Sequence, residues 1–316
     1  MLALPTSGFS RPAGTSPEIV HNIRLDILCD WIEGSVLFDD EVVSKIDLVE
    51  ILIEGNIYND SNLALNIVNE AWSELKRRFG CIKEGNPFSF IRQTIKSRYP
   101  WQENTAHSFC LLLSMPQCYK DWSTAIFRSD YNEQGRLFES LTKASVENQF
   151  SDWEVYQTGW SRTNRMKLAD IVDEISNRLG EMKGEIEPWE NPGGNEAGLD
   201  LLFYRPFPDN RVGVPVYLMQ CASGKNWVHK LHEPDLNVWT KIILFAAMPR
   251  KAIAIPFALL DKEFKQRCNR VNGMLLDRYR LLAAVNYNSK WVPNFLETEI
   301  VDWITPRLQT LHRYDA

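Results

Sequence analysis

Two polar residues in the C-terminal half of the chain have the types and surroundings of metal ligands. Asp200 lies near the start of the apolar segment 199–204 (LDLLFY), and Gln220 lies near the end of the β-prone segment 214–222 (VPVYLMQCA). If these segments form neighbouring strands, both side chains reach one edge of the sheet. A carboxylate and an amide carbonyl are oxygen ligands that suit Mg²⁺, which keeps several of its waters and needs few protein ligands.

Two lysines follow Gln220 closely and add positive charge to this predicted edge. Lys225 and Lys230 stand in the segment SGKNWVHK. Mg²⁺ stabilises negative charge on a phosphate and lowers the pKa of an attacking water, while a lysine orients that water or neutralises the phosphate. The pattern therefore predicts metal-dependent phosphodiester hydrolysis. Plainer interpretations stay open: Asp200 as a turn cap, Gln220 as an amide bonded to the backbone, and both lysines as solvated side chains.

The segments around these residues alternate between helical and strand patterns. Apolar residues recur at helical spacing in 164–179, and Gly180 is well placed to end that helix. Three strand-like segments follow, then a helix, then one more strand. Their ranges are 181–190, 199–204 and 214–222 for the strands, 236–247 for the helix and 251–259 for the last strand. This order predicts an α/β fold (α+β overall, with the helical N-terminal part) in which helices pack on a small mixed sheet.

This order, with GLDLL and YLMQ on consecutive strands, resembles the PD-(D/E)xK nuclease superfamily over roughly residues 163–260. That superfamily includes restriction enzymes, repair and recombination nucleases and phage-defence effectors. The resemblance implies a restriction-endonuclease-like α-β-β-β-α-β core, with Asp200 at the first acidic position and Gln220, an accepted variant, at the second. It also implies Glu174 as the metal-binding carboxylate that the first helix often supplies.

One position departs from the family pattern. The superfamily carries a lysine two residues after the second acidic position, where this chain has Ala222. The segment QCASGKNWVHK also resembles a Q-x-A-S-G-x-N-W-x-x-K signature of bacterial nuclease-like proteins, in which Lys230 is the fixed lysine. The resemblance therefore implies that the lysine has moved to Lys225 or Lys230, or that it has been lost and the fold is inactive.

The N-terminal half shows helical patterns and no motif that carries chemistry. Residues 1–17 are rich in Pro, Gly and Ser, which predicts a flexible lead-in. Residues 18–150 predict a helical domain that regulates activity, dimerises or binds a protein partner, or that only covers the second domain. Residues 151–316 form the predicted nuclease-like domain. The predicted N-terminal helices span 18–34, 42–57, 61–79, 86–99 and 104–115.

Charge and composition narrow the possible partners. The net charge of −6 argues against indiscriminate coating of nucleic acid, but residues 225–280 hold 11 basic and 5 acidic side chains, which favours a polyanion locally. The six cysteines form no CxxC pair, and no apolar run approaches a membrane span, which favours a cytoplasmic protein without membrane contact. No GxxxxGK(S/T) loop or GxGxxG motif supports a nucleotide-hydrolysing or redox enzyme.

Together these observations predict a Mg²⁺-dependent endonuclease, with Mn²⁺ as a substitute metal, that cleaves DNA in bacterial restriction or phage defence. The residues that would carry the chemistry are Asp200, Gln220, Lys225 and Lys230, with Glu174 as a further metal ligand. The alternative is a catalytically inactive nuclease fold that binds nucleic acid or serves as an adaptor subunit, which Ala222 favours. A purely structural partner protein would leave the GLD and QCASGK segments without a role beyond turns.

Overall fold

The chain folds as an α/β protein of helices and short strands. The computed structural model describes residues 1–9, 23–39, 42–82, 85–119, 122, 130–158, 160–161, 164–165, 167–189, 198–283 and 290–313. The helices are α1 (Leu25–Phe38), α2 (Lys45–Glu54), α3 (Ser61–Ile82), α4 (Thr105–Ser114), α5 (Tyr131–Gln149), α6 (Leu168–Leu179), α7 (Leu236–Ile242), α8 (Asp261–Val271), α9 (Arg278–Leu282) and α10 (Asn294–Leu308). The strands are β1 (Val43–Ser44), β2 (Phe88–Ile91), β3 (Thr94–Ser97), β4 (Glu154–Gln157), β5 (Trp160–Ser161), β6 (Asn164–Arg165), β7 (Met182–Lys183), β8 (Leu201–Tyr204), β9 (Val216–Cys221), β10 (Ile243–Leu244), β11 (Arg250–Ala254) and β12 (Met274–Leu276).

A five-stranded mixed sheet carries the predicted site residues. Its strand order is β12-β11-β9-β8-β4. The β4–β8 and β8–β9 pairs are antiparallel, with Leu201 opposite Met219, and the β9–β11 and β11–β12 pairs are parallel. Three predicted strands are therefore confirmed as neighbours in one sheet: 199–204, 214–222 and 251–259.

Both faces of this sheet are buried, because successive side chains of its strands enter different apolar clusters. Leu201 and Phe203 of β8 pack with α5 and the N-terminal helices, whereas Leu202 and Tyr204 pack with α6 and α7. Val271 of α8 covers the rest of the second face. Strands buried on both sides are nearly continuous apolar runs, which explains why the sequence predicted them.

The helix and strand that open the sheet lie earlier in the chain than predicted. The helix predicted at 164–179 is present as α6, and Gly180, with a φ of +68°, ends it. The strand predicted at 181–190 is wrong as a member of this sheet, because β7 pairs with β10 outside it. The edge strand beside β8 is instead β4, which α5 precedes and contacts. Along the chain, α5, β4, β8, β9, α7 and β11 follow one another in the order α-β-β-β-α-β, with β5, β6, α6 and β7 between β4 and β8 and β10 between α7 and β11.

The sequence signals of α5 and β4 are weak for physical reasons. β4 (EVYQ) is an edge strand of four residues, and all of its side chains keep partial exposure. α5 buries one face, which includes Leu137, Phe138 and Leu141, but Glu, Gln and Asn occupy much of the remainder. Polar residues around a narrow apolar stripe obscure the helical period.

The first residues of the chain pack against the helices. Leu2 is buried, and its backbone N–H donates to Ser35 Oγ at 3.2 Å. Trp31 Nε1 in turn donates to the Leu2 carbonyl at 3.2 Å. The prediction of a flexible lead-in is therefore wrong for residues 1–9, while residues 10–17 lie outside the described ranges.

Four of the predicted N-terminal helices are present as α1 to α4, and one is wrong. The segment 86–99 forms the antiparallel strands β2 and β3 instead of a helix. Phe88 and Phe90 alternate along β2 and both contact the ring of Phe79 on α3. Packing at every second residue is the spacing of a strand, and it outweighs the weak helical pattern.

A fully buried ion network joins the N-terminal helices to the C-terminal half. Arg78 of α3 and Arg278 of α9 both bind the carboxylates of Asp30 and Glu33 on α1. The shortest N–O distance of each arginine is to Asp30, at 2.8 Å for Arg78 and 3.0 Å for Arg278. His107 of α4 lies 3.2 Å from Glu33 and extends the network to a fourth helix.

Glu33 stays ionised in this network although it is fully buried. Burial alone would raise the pKa of Glu33, but the hydrogen bond from His107 and the charges of Arg78 and Arg278 lower it to about 2. The hydrophobic core is also continuous between the N-terminal helices and the sheet. The domain boundary predicted at residue 150 is therefore not visible as a break in the packing.

All six cysteines are free thiols, and four of them are buried. Among the helices within the described ranges, none is both long enough and apolar enough to cross a lipid bilayer.

Candidate functional site

Asp200 and Gln220 lie side by side at one edge of the central sheet, as predicted. The backbone N–H of Asp200 donates to the Met219 carbonyl at 3.0 Å, which extends the β8–β9 ladder by one residue. This register brings the two side chains together, and Gln220 Nε2 donates to Asp200 Oδ2. Both residues are buried, with 5% of Asp200 and 2% of Gln220 exposed.

Backbone groups of three strands fix this pair. Asp200 Oδ2 also accepts from the Cys221 N–H at 2.5 Å, and Gln220 Nε2 also donates to the Cys221 carbonyl at 3.2 Å. Thr158, directly after β4, donates its backbone N–H to the Asp200 carbonyl at 3.0 Å. The pair therefore lies at the point where β4 and β9 end and β8 begins.

The amide oxygen of Gln220 is buried, and no described residue donates a hydrogen bond to it. Gly198, with a φ of +72°, brings the backbone close to this atom, since a Cβ there would lie 3.5 Å from it. An unsatisfied buried acceptor costs about 1–3 kcal/mol. A cation or hydrogen-bond donor that met this oxygen, in its present position or after the amide turned over, would remove that cost.

Glu139 and Lys230 line the same cleft as Asp200 and Gln220, and the cleft has a volume of about 320 Å³. Glu139 is half-buried on α5. Lys230 is exposed at the end of a short 3₁₀ helix, Trp227–Lys230. The fold thus brings two carboxylates and a lysine, which are far apart in sequence, to the Gln220 amide.

Cys221 also lines the cleft, but it is not a nucleophile. Burial raises the pKa of the Cys221 thiol well above its ordinary value, and the charges of Asp200 and Glu139 raise it further. A thiol that stays protonated reacts poorly. The Cys221 thiol is therefore held in its protonated, unreactive form.

Glu174 does not join the cleft, which corrects the sequence prediction. It lies on α6 at 2.7 Å from Arg178, and both side chains are more than a third exposed. Arg178 in turn lies over the ring of Tyr156, 4.8 Å from its centroid. The prediction failed because α6 is not the helix that precedes β4. The helix that precedes β4 is α5, and its Glu139 lines the cleft.

Lys230 reaches the cleft, whereas Lys225 lines two neighbouring cavities instead. Ala222 is 2% exposed and packs with Trp227 and Leu231. Ala222 also lines the cleft, and its methyl group supplies no charge there. Among the described residues that line the cleft, Lys230 is the lysine.

Glu139 is the site residue that the sequence analysis missed. The available signal was the spacing of Leu137, Phe138 and Leu141, which recurs as Ala144 and Ser145 on one helical face. Glu139 lies beside that face and is half-buried, which is the position of a carboxylate at the margin of a helix interface.

The donor atoms of the cleft fit a hard divalent cation. Within the described ranges, no group of three or more His, Cys, Asp or Glu side chains is arranged to hold a metal ion. Asp200, Glu139 and the Gln220 amide would supply three oxygens, and Mg²⁺ completes its shell with water. The Gln220 amide would then present its oxygen, to which no described residue donates, in place of the NH₂ that now bonds Asp200.

Comparisons of this chain with known protein families, with curated proteins and with solved structures found no match. The function is therefore inferred from the residues of the cleft.

Proposed function

We propose that this protein is a Mg²⁺-dependent endonuclease that hydrolyses phosphodiester bonds in DNA. The observation that supports this function is the cleft in which Glu139 and Lys230 lie beside the bonded Asp200–Gln220 pair. Oxygen donors next to one lysine are the groups that phosphoryl chemistry requires. A role in bacterial restriction or phage defence rests on the resemblance to PD-(D/E)xK nucleases.

The residues of the cleft have separable roles in this proposal. Asp200, Glu139 and Gln220 would hold Mg²⁺, for which Mn²⁺ can substitute, and a bound ion would supply stabilisation of negative charge on the phosphate. Lys230 is exposed at the open side of the cleft, where its ammonium group neutralises a phosphate oxygen or orients the attacking water. The buried position of Asp200 and Gln220 keeps the ligands preorganised and limits access of bulk water.

Cleavage assays on the purified full chain test the function directly. Single-stranded DNA, double-stranded DNA and RNA are incubated with Mg²⁺ or Mn²⁺, and a chelator serves as the control. We expect DNA cleavage that the chelator stops. Cleavage of RNA alone would overturn the DNA assignment. If no nucleic acid is cleaved with either metal, the protein is instead an inactive nuclease fold, the second candidate function.

The second candidate is an inactive nuclease fold that binds nucleic acid or acts as an adaptor subunit. Ala222 in place of a lysine favours it. So does the carboxylate of Asp200, whose Oδ2 already accepts hydrogen bonds from the Gln220 amide and the Cys221 N–H. In an inactive protein these hydrogen bonds would have a structural role, because they would satisfy polar groups at the end of β9.

Lys230→Ala is expected to lower kcat for DNA cleavage on the order of 10²-fold with little change in DNA affinity, because its ammonium group acts on the reacting phosphate. Lys143→Ala is the matched control, since Lys143 is a partly exposed lysine on α5 that pairs with Glu147. Cleavage rates at saturating DNA measure the effect on kcat, and fluorescence anisotropy measures the effect on DNA affinity. A Lys230→Ala protein with the wild-type rate would remove this lysine from the mechanism.

The basic surplus of residues 225–280 does not form one face. Arg278 belongs to the buried ion network. Arg250 begins β11 three residues before the partner of Gln220, so it lies toward the other end of the sheet. Lys225 and Lys230 remain near the cleft. Fewer basic groups are therefore available to DNA than the sequence count suggests.

DNA binding is expected to weaken as salt rises, because each phosphate contact releases counterions. The slope of log K against log salt is about −0.9 per contact with double-stranded DNA. Binding curves of an Asp200→Asn protein between roughly 0.05 and 0.3 M salt give this slope without cleavage. An affinity that does not change with salt would exclude phosphate contacts as the basis of binding.

We also propose that the N-terminal helical part binds a protein partner or a second copy of the chain, and that the protein is cytoplasmic. The first proposal is supported by exposed apolar side chains on α2, α3 and β2: Ile46, Leu63, Leu65 and Ile91. The second is supported by the free thiols, because a reducing compartment keeps cysteines unpaired.

A further inference from the structure

A second cavity of about 400 Å³ adjoins the carboxylate cleft and shares a wall with it. The shared wall is the turn Ser223–Asn226 together with the first turn of α5, where Tyr131 and Gln134 line both cavities. Gln134 Nε2 donates to both the carbonyl and the Oγ of Ser223 at 3.2 Å. These bonds fix the turn to α5, so the two cavities have a defined relative position.

This second cavity is mainly aromatic. Trp122 and Phe257 form part of its wall, and both are almost completely buried. The guanidinium of Arg307 lies 3.6 Å from the centroid of the Trp303 ring, and its charge is paired with the Asp130 carboxylate. Lys225 adds a positive charge, and none of the described residues that line the cavity is acidic. The cavity thus differs from the neighbouring carboxylate cleft.

Tyr131 connects the two sites. It is the first residue of α5, lines both cavities and is 58% exposed, although a tyrosine usually covers its ring when it has only a packing role. An exposed ring between a phosphate-binding cleft and an aromatic cavity is a stacking surface for a base whose phosphate lies in the cleft.

We propose that this cavity binds a nucleobase, stacked on Tyr131 and held next to the phosphate in the carboxylate cleft. A nucleobase needs planar apolar surfaces for its faces and polar groups for its edge, and Lys225, Gln117 and Asn226 supply the polar part. A purely apolar ligand would not need these polar side chains, and a simple anion would not need the aromatic walls. The base belongs to a nucleotide of the polynucleotide substrate or to a free nucleotide.

The proposal rests on the nuclease function for the identity of the neighbouring phosphate, and it specifies the substrate. A base within a stacked duplex cannot enter a cavity, so the strand that is bound must be single, or must turn one nucleotide out of the helix. The protein should therefore prefer single-stranded DNA, or duplexes with a mismatch or gap, over intact duplexes.

Binding of fluorescent nucleotides without metal tests the proposal independently of cleavage. The full-length Asp200→Asn protein is titrated into a single-stranded oligonucleotide that carries one 2-aminopurine, and separately into 2-aminopurine deoxyribonucleoside monophosphate. Stacking should quench the 2-aminopurine signal. Tyr131→Ala should weaken binding about tenfold and abolish the quenching, whereas Tyr131→Phe, which keeps the ring, should bind within about twofold of its parent.

Tyr99→Ala is the matched control, because Tyr99 is similarly exposed but lies outside both cavities. An effect of Tyr131→Ala on the oligonucleotide supports a base of the substrate strand, and an effect on the monophosphate alone supports a free nucleotide. Binding of both probes that Tyr131→Ala leaves unchanged would overturn the proposal. A protein that never cleaves but shows the Tyr131 effect would disprove the nuclease function and keep the nucleobase site.

Discussion

Asp200→Ala is expected to lower the rate of Mg²⁺-dependent DNA cleavage by on the order of 10³-fold or more, because Asp200 supplies the buried negative charge of the cleft. The substitution also removes the acceptor of the Cys221 N–H, which costs about 1–3 kcal/mol of stability. Asp200→Asn separates these effects, since it keeps the shape and one acceptor oxygen but loses the charge. The cleavage rates of both variants report the loss of charge, and their melting temperatures report the loss of stability.

Glu174→Ala is the matched control for this prediction. Glu174 is the carboxylate that the family resemblance implied, but it pairs with Arg178 on the exposed side of α6. Its removal should leave the cleavage rate within about twofold. Wild-type-like cleavage by folded Asp200→Asn and Asp200→Ala proteins would contradict the assignment of the cleft.

Arg278→Ala is expected to lower the free energy of unfolding by about 3–5 kcal/mol. The guanidinium is fully buried and binds both carboxylates of the network, at 3.0 Å from Asp30 and 3.4 Å from Glu33. Its loss leaves Arg78 and His107 as the basic partners of two buried carboxylates. Urea denaturation of wild type and variant measures the difference.

Arg178→Ala provides the comparison for a surface ion pair. Arg178 and Glu174 are 38% and 40% exposed, so solvent screens their attraction, and the expected loss is below about 1 kcal/mol. Equal losses for Arg178→Ala and Arg278→Ala would show that the buried network does not link the N-terminal helices to the C-terminal half energetically.

The central strands and the Asp200–Gln220 pair were predictable because their signals are local. β8 and β9 are apolar on both faces, and each carries a polar residue at the end where the sheet meets the cleft. Paired antiparallel strands place the start of the first beside the end of the second. The α6 helix was predictable for a similar reason, since its apolar stripe is regular and Gly180 ends it.

The remaining features depend on contacts between distant parts of the chain. Glu139 reaches the cleft only because α5 packs on β4 and β9, and neither contact is visible in a sequence pattern. Lys230 could not be preferred over Lys225 until the turn between them was placed. The packing of Leu2 and the burial of Arg278 are likewise set by tertiary structure, because Pro- and Gly-rich termini and isolated arginines are usually exposed.

The central claim is that Asp200, Gln220 and Glu139 form a divalent-cation site, and anomalous diffraction from crystals of the full chain soaked in Mn²⁺ tests it most directly. We expect one anomalous peak in the cleft, with oxygens of Asp200 and Gln220 at about 2.1–2.2 Å and the Gln220 amide turned so that its oxygen faces the ion. Asp200→Asn crystals soaked in the same way should lack the peak. Wild-type crystals with no peak in the cleft at saturating Mn²⁺, and with the Gln220 amide still donating to Asp200, would contradict the claim.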